Sequence, residues 1–142
     1  MKWFKWILSP LSLLFSVITK ARNFLYDTGF FKEIQLKIPI IGVGNITVGG
    51  TGKTPHCEYI AKTLDSKYKL ALLSKGYGRI SKDFLYVEVY SKAIEVGDEP
   101  LQSKQNIPNQ IVAVDHRRVN GIQKILQDFP ETSVFILDDA FQ

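Results

Sequence analysis

Apolar positions along this chain fall into two regimes. In the first, Trp6 to Ile18 (WILSPLSLLFSVI) runs without a formal charge. A straight helix over that stretch spans about 20 Å at 1.5 Å per residue, short of the roughly 30 Å hydrocarbon core of a bilayer. A cleaved signal peptide fits the length, but no A-x-A site follows. A core helix would not need Trp3, Trp6 and flanking lysines, which a membrane interface favours. The expectation is a short membrane anchor, shallow or spanning. Arg22 to Gly29 continues as a short helix, with Gly29 as its stop signal.

From Ile38 the pattern becomes short apolar runs alternating with helical periodicity. Ile38–Asn45 predicts a buried strand emptying into a glycine loop. Cys57, Ile60, Ala61 and Leu64 recur at i, i+3, i+4 and i+7, one stripe of a helix. Lys69–Ser74 predicts the next strand, followed by a Gly76–Tyr77–Gly78 turn. Phe84–Tyr90, Gln110–Val114 and Ser133–Leu137 predict further strands, and Ile122, Ile125, Leu126 and Phe129 mark another helix face. Such alternation predicts an α/β fold, a mostly parallel sheet with flanking helices. The expected division is residues 1–37 as anchor and linker helix and residues 38–142 as the α/β domain. That sheet carries its site at the carboxyl ends of its strands. Gln142 comes just after the last strand, so a further C-terminal part is expected.

Composition narrows the picture. With 142 residues, 45% of them hydrophobic and 23% charged, the chain is neither disordered nor collagen-like. A lone cysteine, Cys57, excludes an internal disulfide, and two histidines speak against a zinc site. Lys2, Lys5, Lys20, Arg22, Lys32 and Lys37 face only Asp27 and Glu33 in residues 1–37, so that segment carries the whole net charge of +4. An excess bordering the most apolar segment points to an anionic membrane surface rather than to nucleic acid. No protein partner is expected.

Four motifs carry chemistry. Thr47–Val48–Gly49–Gly50–Thr51–Gly52–Lys53–Thr54 lies between a predicted strand and a predicted helix. Small residues let successive N–H groups turn inward onto phosphate oxygens, and the helix adds its positive end. Lys53 supplies a cation for the β- and γ-phosphates and Thr54 a hydroxyl for Mg²⁺. Thr47 stands where the strict pattern has glycine, so this is a variant P-loop, and the expected fold is P-loop NTPase-like. In Val134–Asp139 (VFILDD), an apolar strand ends in acids that either hold Mg²⁺ or, in the case of Asp139, cap a turn. Asp98 and Glu99 in VGDEP form either a proton acceptor and metal ligand or a solvated loop. Lys75 and Arg79 in SKGYGR either bind anionic substrate groups or form a basic turn. His56 is read as an exposed helix residue, Cys57 as part of the apolar stripe, and Asp115–Arg118 as a helix start without chemistry.

Gly44–Pro55, Lys75–Arg79, Val96–Pro100 and Leu137–Gln142, in that order after an apolar helix, resemble the tetraacyldisaccharide 4′-kinase family. The resemblance runs over essentially the whole chain, which looks like less than half of a family member. It implies ATP and Mg²⁺ as cofactors and a tetraacyl disaccharide 1-phosphate, the lipid A precursor, as substrate. The implied location is the cytoplasmic face of the inner membrane. By resemblance Lys53 and Thr54 bind phosphates and Mg²⁺, and Asp98 is the base on the sugar 4′-hydroxyl. Glu99 and Asp138 hold metal, Asp139 joins Asp98 in catalysis, and Lys75 and Arg79 meet substrate. The family usually has arginine at the position of Lys75 and glycine at that of Ala140. Its C-terminal half completes the nucleotide site and supplies a histidine partner to the catalytic aspartate. Two other readings stay open: a membrane-associated P-loop ATPase or GTPase switch, and an inactive nucleotide-binding fragment.

Overall fold

In the computed structural model, residues 3–31, 34–45 and 52–140 are described, with side chains excepted for residues 3–9 and 11. Helix α1 (Trp3–Asp27) is one continuous helix that includes Pro10, so the two expected segments are merged. Leu13, Leu14, Phe15, Val17, Ile18 and Phe24 are exposed along it. Polar groups at Lys20, Arg22 and Asn23 interrupt its apolar character, and no described helix is long and apolar enough to cross a membrane. Gly29, with φ +73°, accepts the left-handed geometry that follows the helix, and its N–H bonds to the Tyr26 carbonyl. The side chains of Trp3 and Trp6 lie outside the described residues. The chain divides into two compact units, residues 1–35 and residues 36–142.

The second unit alternates strand and helix: β1 (Ile40–Val43), α2 (Lys53–Leu64), β2 (Leu70–Ser74), β3 (Leu85–Tyr86), α3 (Ala93–Val96), α4 (Asp98–Asn106), β4 (Ile111–Val114), α5 (Arg118–Asp128) and β5 (Val134–Asp138). Strand order in the sheet is β1-β5-β2-β4-β3. The first four are mutually parallel, and β3 runs antiparallel to β4 at the edge. Parallel strands covered on both faces read as unbroken apolar runs, and every residue of β2 is buried. Its side chains alternate between the two faces. Leu70 and Leu72 join Cys57 and Ala61 of α2 and Ile136 of β5 on one face. Ala71 and Leu73 join Ile122 and Ile125 of α5 and Phe135 on the other.

Three expectations need correction. The strand expected as buried over Ile38–Asn45 is the four-residue β1, whose positions alternate between exposed and half-buried because it lies at the sheet edge beside β5 alone. The strand expected over Phe84–Tyr90 shrinks to two residues, because the Ser91 hydroxyl accepts from the Glu88 N–H and turns the chain away. Asp98 and Glu99, placed by expectation in a loop, are instead the first turn of α4, with both side chains exposed. Its signal was the acid pair followed by Pro100, since acids favour a helix start and a first-turn proline gives up no helical bond.

Candidate active site

Register brings the site together. Val43, the last residue of β1, pairs with Asp138, the last of β5. The chain leaves β1 through Asn45, and Gly52, with φ +74°, directly precedes the first turn of α2. Thr47, Val48, Gly49, Gly50 and Thr51 lie outside the described residues. Lys53 Nζ donates to Asn45 Oδ1 at 3.1 Å and stands 3.1 Å from Asp139 Oδ1. One position along, Thr54 Oγ1 donates to Asp138 Oδ2 at 3.4 Å. One turn on, Cys57 Sγ donates to the other carboxylate oxygen at 3.6 Å. Helix α2 thus lays three successive contacts along the end of β5.

Burial shapes the chemistry here. Asp138 is 2% exposed, and that burial pushes its carboxyl above the ordinary range. Hydrogen bonds from Cys57, the Asp139 N–H and Thr54 pull the other way, while the charge of Asp139 adds to the rise. Cys57 is raised well above a normal thiol, first by burial and then by the charge of Asp138. It therefore stays a thiol, a donor to Asp138 rather than a soft metal ligand. Asp139 takes φ +57°, uncommon for a residue with a side chain. The N–H of Ala140 bonds to the Val43 carbonyl at 2.9 Å, and Arg118 Nη2 donates to the carbonyls of both Asp138 and Asp139.

Can these residues hold Mg²⁺? That ion takes oxygen ligands, uses few from the protein and keeps waters or substrate phosphates for the rest. Thr54 Oγ1 and Asp138 Oδ2 are such a pair, buried and already facing each other. Among the described residues Asp139 Oδ1 is buried without a hydrogen bond and is met by the charge of Lys53. The donor set fits. Among the described residues no three His, Cys, Asp or Glu side chains gather as a metal cage. Glu99 therefore does not complete a three-carboxylate set with Asp138 and Asp139.

The other two motifs meet at the carboxyl end of β2, beside β5. Gly97, at φ +94°, would press an added Cβ to 3.1 Å from the Tyr77 carbonyl oxygen and 3.2 Å from Gly76 Cα. Only glycine lets the two backbones approach that closely. This contact joins the turn bearing Lys75 and Arg79 to the start of α4, where Asp98 and Glu99 stand exposed. Arg79 turns inward: Nε donates to the Lys75 carbonyl at 3.2 Å and Nη1 to the Asp83 carbonyl. Desolvation by burial lowers its pKa, against the charges of Asp115 and Asp83. Beside it Lys75, Lys82 and His116 line a basic cleft of about 280 Å³.

Asn45, Cys57 and Arg118 are site residues that the sequence alone did not assign. Asn45 directly follows the strand, and Cys57 lies three residues after Thr54 on the same helix face. Those spacings were the available signal for the first two. The reach of Arg118 from α5 to the end of β5 has no local signature.

A mostly parallel sheet with flanking helices, a lysine–threonine pair opening the helix after its first strand and an acidic strand end in contact with that pair define a mixed α/β protein with its site at the strand ends. The profile of the tetraacyldisaccharide-1-P 4′-kinase family (LpxK) matches residues 4–142, and the chain belongs to that family. It is similar to the tetraacyldisaccharide 4′-kinase of Phocaeicola vulgatus, 48% identical over 97% of this chain and 38% of that protein. The one from Flavobacterium johnsoniae is 46% identical over 96% of this chain and 40% of its own. The "apo" form of LpxK from Aquifex aeolicus in complex with ATP superposes with a TM-score of 0.78 at 39% identity. That match covers 98% of this chain and 45% of the other. The chain thus spans about two fifths of the length of the curated relatives it matches.

Proposed function

We propose that this chain is the nucleotide-binding part of a lipid-sugar kinase. The enzyme transfers the γ-phosphoryl group of ATP to the 4′-hydroxyl of a tetraacyl disaccharide 1-phosphate, a precursor of lipid A. The observation that carries this reading is the pairing of Lys53 with Asp139 and of Thr54 with Asp138 in a member of this family. Phosphoryl transfer asks mainly for positioning and charge neutralisation. Lys53, held between Asn45 and Asp139, presents a cation to the β- and γ-phosphates. Thr54 and Asp138 would hold Mg²⁺, which when bound neutralises charge on the phosphate oxygens. Asp98 accepts the proton of the sugar hydroxyl as its oxygen bonds to the γ-phosphorus and the bond to the β-bridging oxygen breaks, releasing ADP. Glu99, the next residue in the first turn of α4, would help hold the metal. Lys75 and Arg79 meet anionic groups of the substrate.

A substrate with several acyl chains stays in the bilayer, so the enzyme works at its surface. The exposed apolar residues of α1 with Lys20 and Arg22 suit a helix lying in an anionic interface, at the cytoplasmic face of the inner membrane where ATP is available. The test uses the full-length protein with ATP, Mg²⁺ and the tetraacyl disaccharide in mixed vesicles. Formation of the 4′-phosphate with ADP in equal amounts is expected. ATP hydrolysis without lipid phosphorylation would favour a switch ATPase instead. Deleting residues 1–22 should move the protein from the vesicle pellet to the supernatant; unchanged sedimentation would reject α1 as the anchor.

A further inference from the structure

Glu58 is a buried carboxylate, 7% exposed, that the site described above does not use. It lies one turn after Thr54 on the same face of α2. Its Oε1 accepts a hydrogen bond from Ser103 Oγ at 3.2 Å, and its Oε2 accepts one from Asn106 Nδ2 at 2.9 Å. Both donors belong to α4, and Ser103 is fully buried. A carboxylate away from water is costly unless its oxygens are hydrogen-bonded, and an apolar side chain at a buried position avoids that cost. What the carboxylate adds is direction: two bonds to residues three apart on one helix fix the rotation of that helix. Helix α4 needs this, because its apolar anchorage is slight; only Pro100 and Ser103 are buried within it.

We propose that Glu58 is a positioning residue. It ties the helix that opens with Lys53 and Thr54 to the helix that opens with Asp98 and Glu99, so that phosphate contacts at the first helix set the aim of the carboxylates on the second. The inference rests on the function proposed above. At the far end Gly97 seats α4 against Gly76 and Tyr77. The clasp holds the body of the helix, and the seat holds its first residue.

The test compares Glu58→Ala, Glu58→Gln and the paired Ser103→Ala with Asn106→Ala in the full-length protein. Misplacing a reacting group by a fraction of an ångström to an ångström costs on the order of 10–100-fold. Glu58→Ala should therefore lower kcat about tenfold or more at saturating substrates, with KM for ATP held within about twofold. Glu58→Gln should recover most of that loss, since its amide can still accept from Asn106 and pair with the two-way hydroxyl of Ser103. The Ser103/Asn106 pair reaches the clasp from α4 and should repeat the loss, also where Glu58→Ala does not fold. A lowered melting temperature with unchanged kcat in the variants overturns the proposal, and so does a loss confined to KM for ATP. If the wild type itself fails on the lipid, the proposed function falls and amide exchange reads the clasp instead. ATP with Mg²⁺ should slow exchange at Leu101–Ile107 in the wild type and not in the clasp variant that folds; equal slowing in both overturns the coupling.

Discussion

Asp138 ends a strand inside the sheet and Asp139 follows it, whereas Asp98 and Glu99 begin a helix with their side chains exposed. The first pair is surrounded: Thr54 and Cys57 donate to one carboxylate, Lys53 sits on the other, and Arg118 holds the carbonyls behind both. The second pair stands exposed, fixed only through the backbone of Gly97 and the body of α4. Side chains already engaged with the phosphate-facing lysine and threonine suit a fixed charge. Side chains left exposed beside a basic cleft suit an incoming hydroxyl. The division of labour between metal ligand and proton acceptor follows from that contrast in surroundings, since all but one of these four acids are the same residue type.

The largest break in the comparison should come from removing the exposed acid. Losing a general base typically costs about 10²–10⁴-fold, so Asp98→Ala in the full-length protein should lower kcat by that order while ATP affinity stays close to wild type. Restoration of its rate by added Mg²⁺ would make Asp98 a metal ligand and erase the contrast. Lys53→Ala acts on the enclosed side. Losing one charge aimed at developing negative charge costs about 10²–10³-fold, here with weakened ATP binding by titration calorimetry. Unchanged nucleotide affinity and turnover would reject the P-loop assignment.

Legibility in the sequence divides along similar lines. Strands β2, β4 and β5 show as apolar runs because they are covered on both faces, β1 shows by its isoleucines and valine although it lies half-exposed at the sheet edge, and α2 and α5 show as stripes because each packs one face on the sheet. Helix α4 hides because Pro100 and a serine fill its buried positions, so no apolar period marks it. At the site, the spacing of the glycine loop and the acidic strand end was enough to expect a carboxylate near Lys53 and Thr54. Cys57 read as a core residue, and its spacing from Thr54 did not reveal a hydrogen bond to a strand 81 positions away. The Glu58–Ser103–Asn106 clasp joins residues 45 and 48 positions apart, and no local pattern announces such a pairing.

Enclosure also has a pH signature. Burial raises the Asp138 carboxyl in the folded protein, so the folded state binds that proton more tightly than the unfolded chain does. Its contribution is greatest below the ordinary aspartate range and is lost as pH rises through the raised value. Asp138→Asn does not titrate. In metal-free, nucleotide-free buffer its melting temperature should gain on wild type as pH is raised from 4 to 7, while its turnover falls about 10²-fold. A melting difference that stays flat across that window would mean Asp138 is solvated as freely as Asp98, and the contrast would lose its physical basis.

The smallest effect sharpens the exposed side. Gly97 has φ +94° and touches the backbone of Gly76 and Tyr77, so Gly97→Ala adds a methyl group in a left-handed conformation against a carbonyl oxygen 3.1 Å away. The conformational term alone is about 1–2 kcal/mol, and the global loss in denaturant unfolding should be of that order because α4 can yield locally. The site should feel it unevenly. The pairing of Lys53 with Asp139 and of Thr54 with Asp138 is set by the β1–β5 register, which Gly97 does not touch, so ATP affinity should stay near wild type. Asp98 is the next residue in the chain, so kcat on the lipid should fall while KM for ATP holds. Equal losses in ATP binding and turnover would show that the two acidic pairs move as one body.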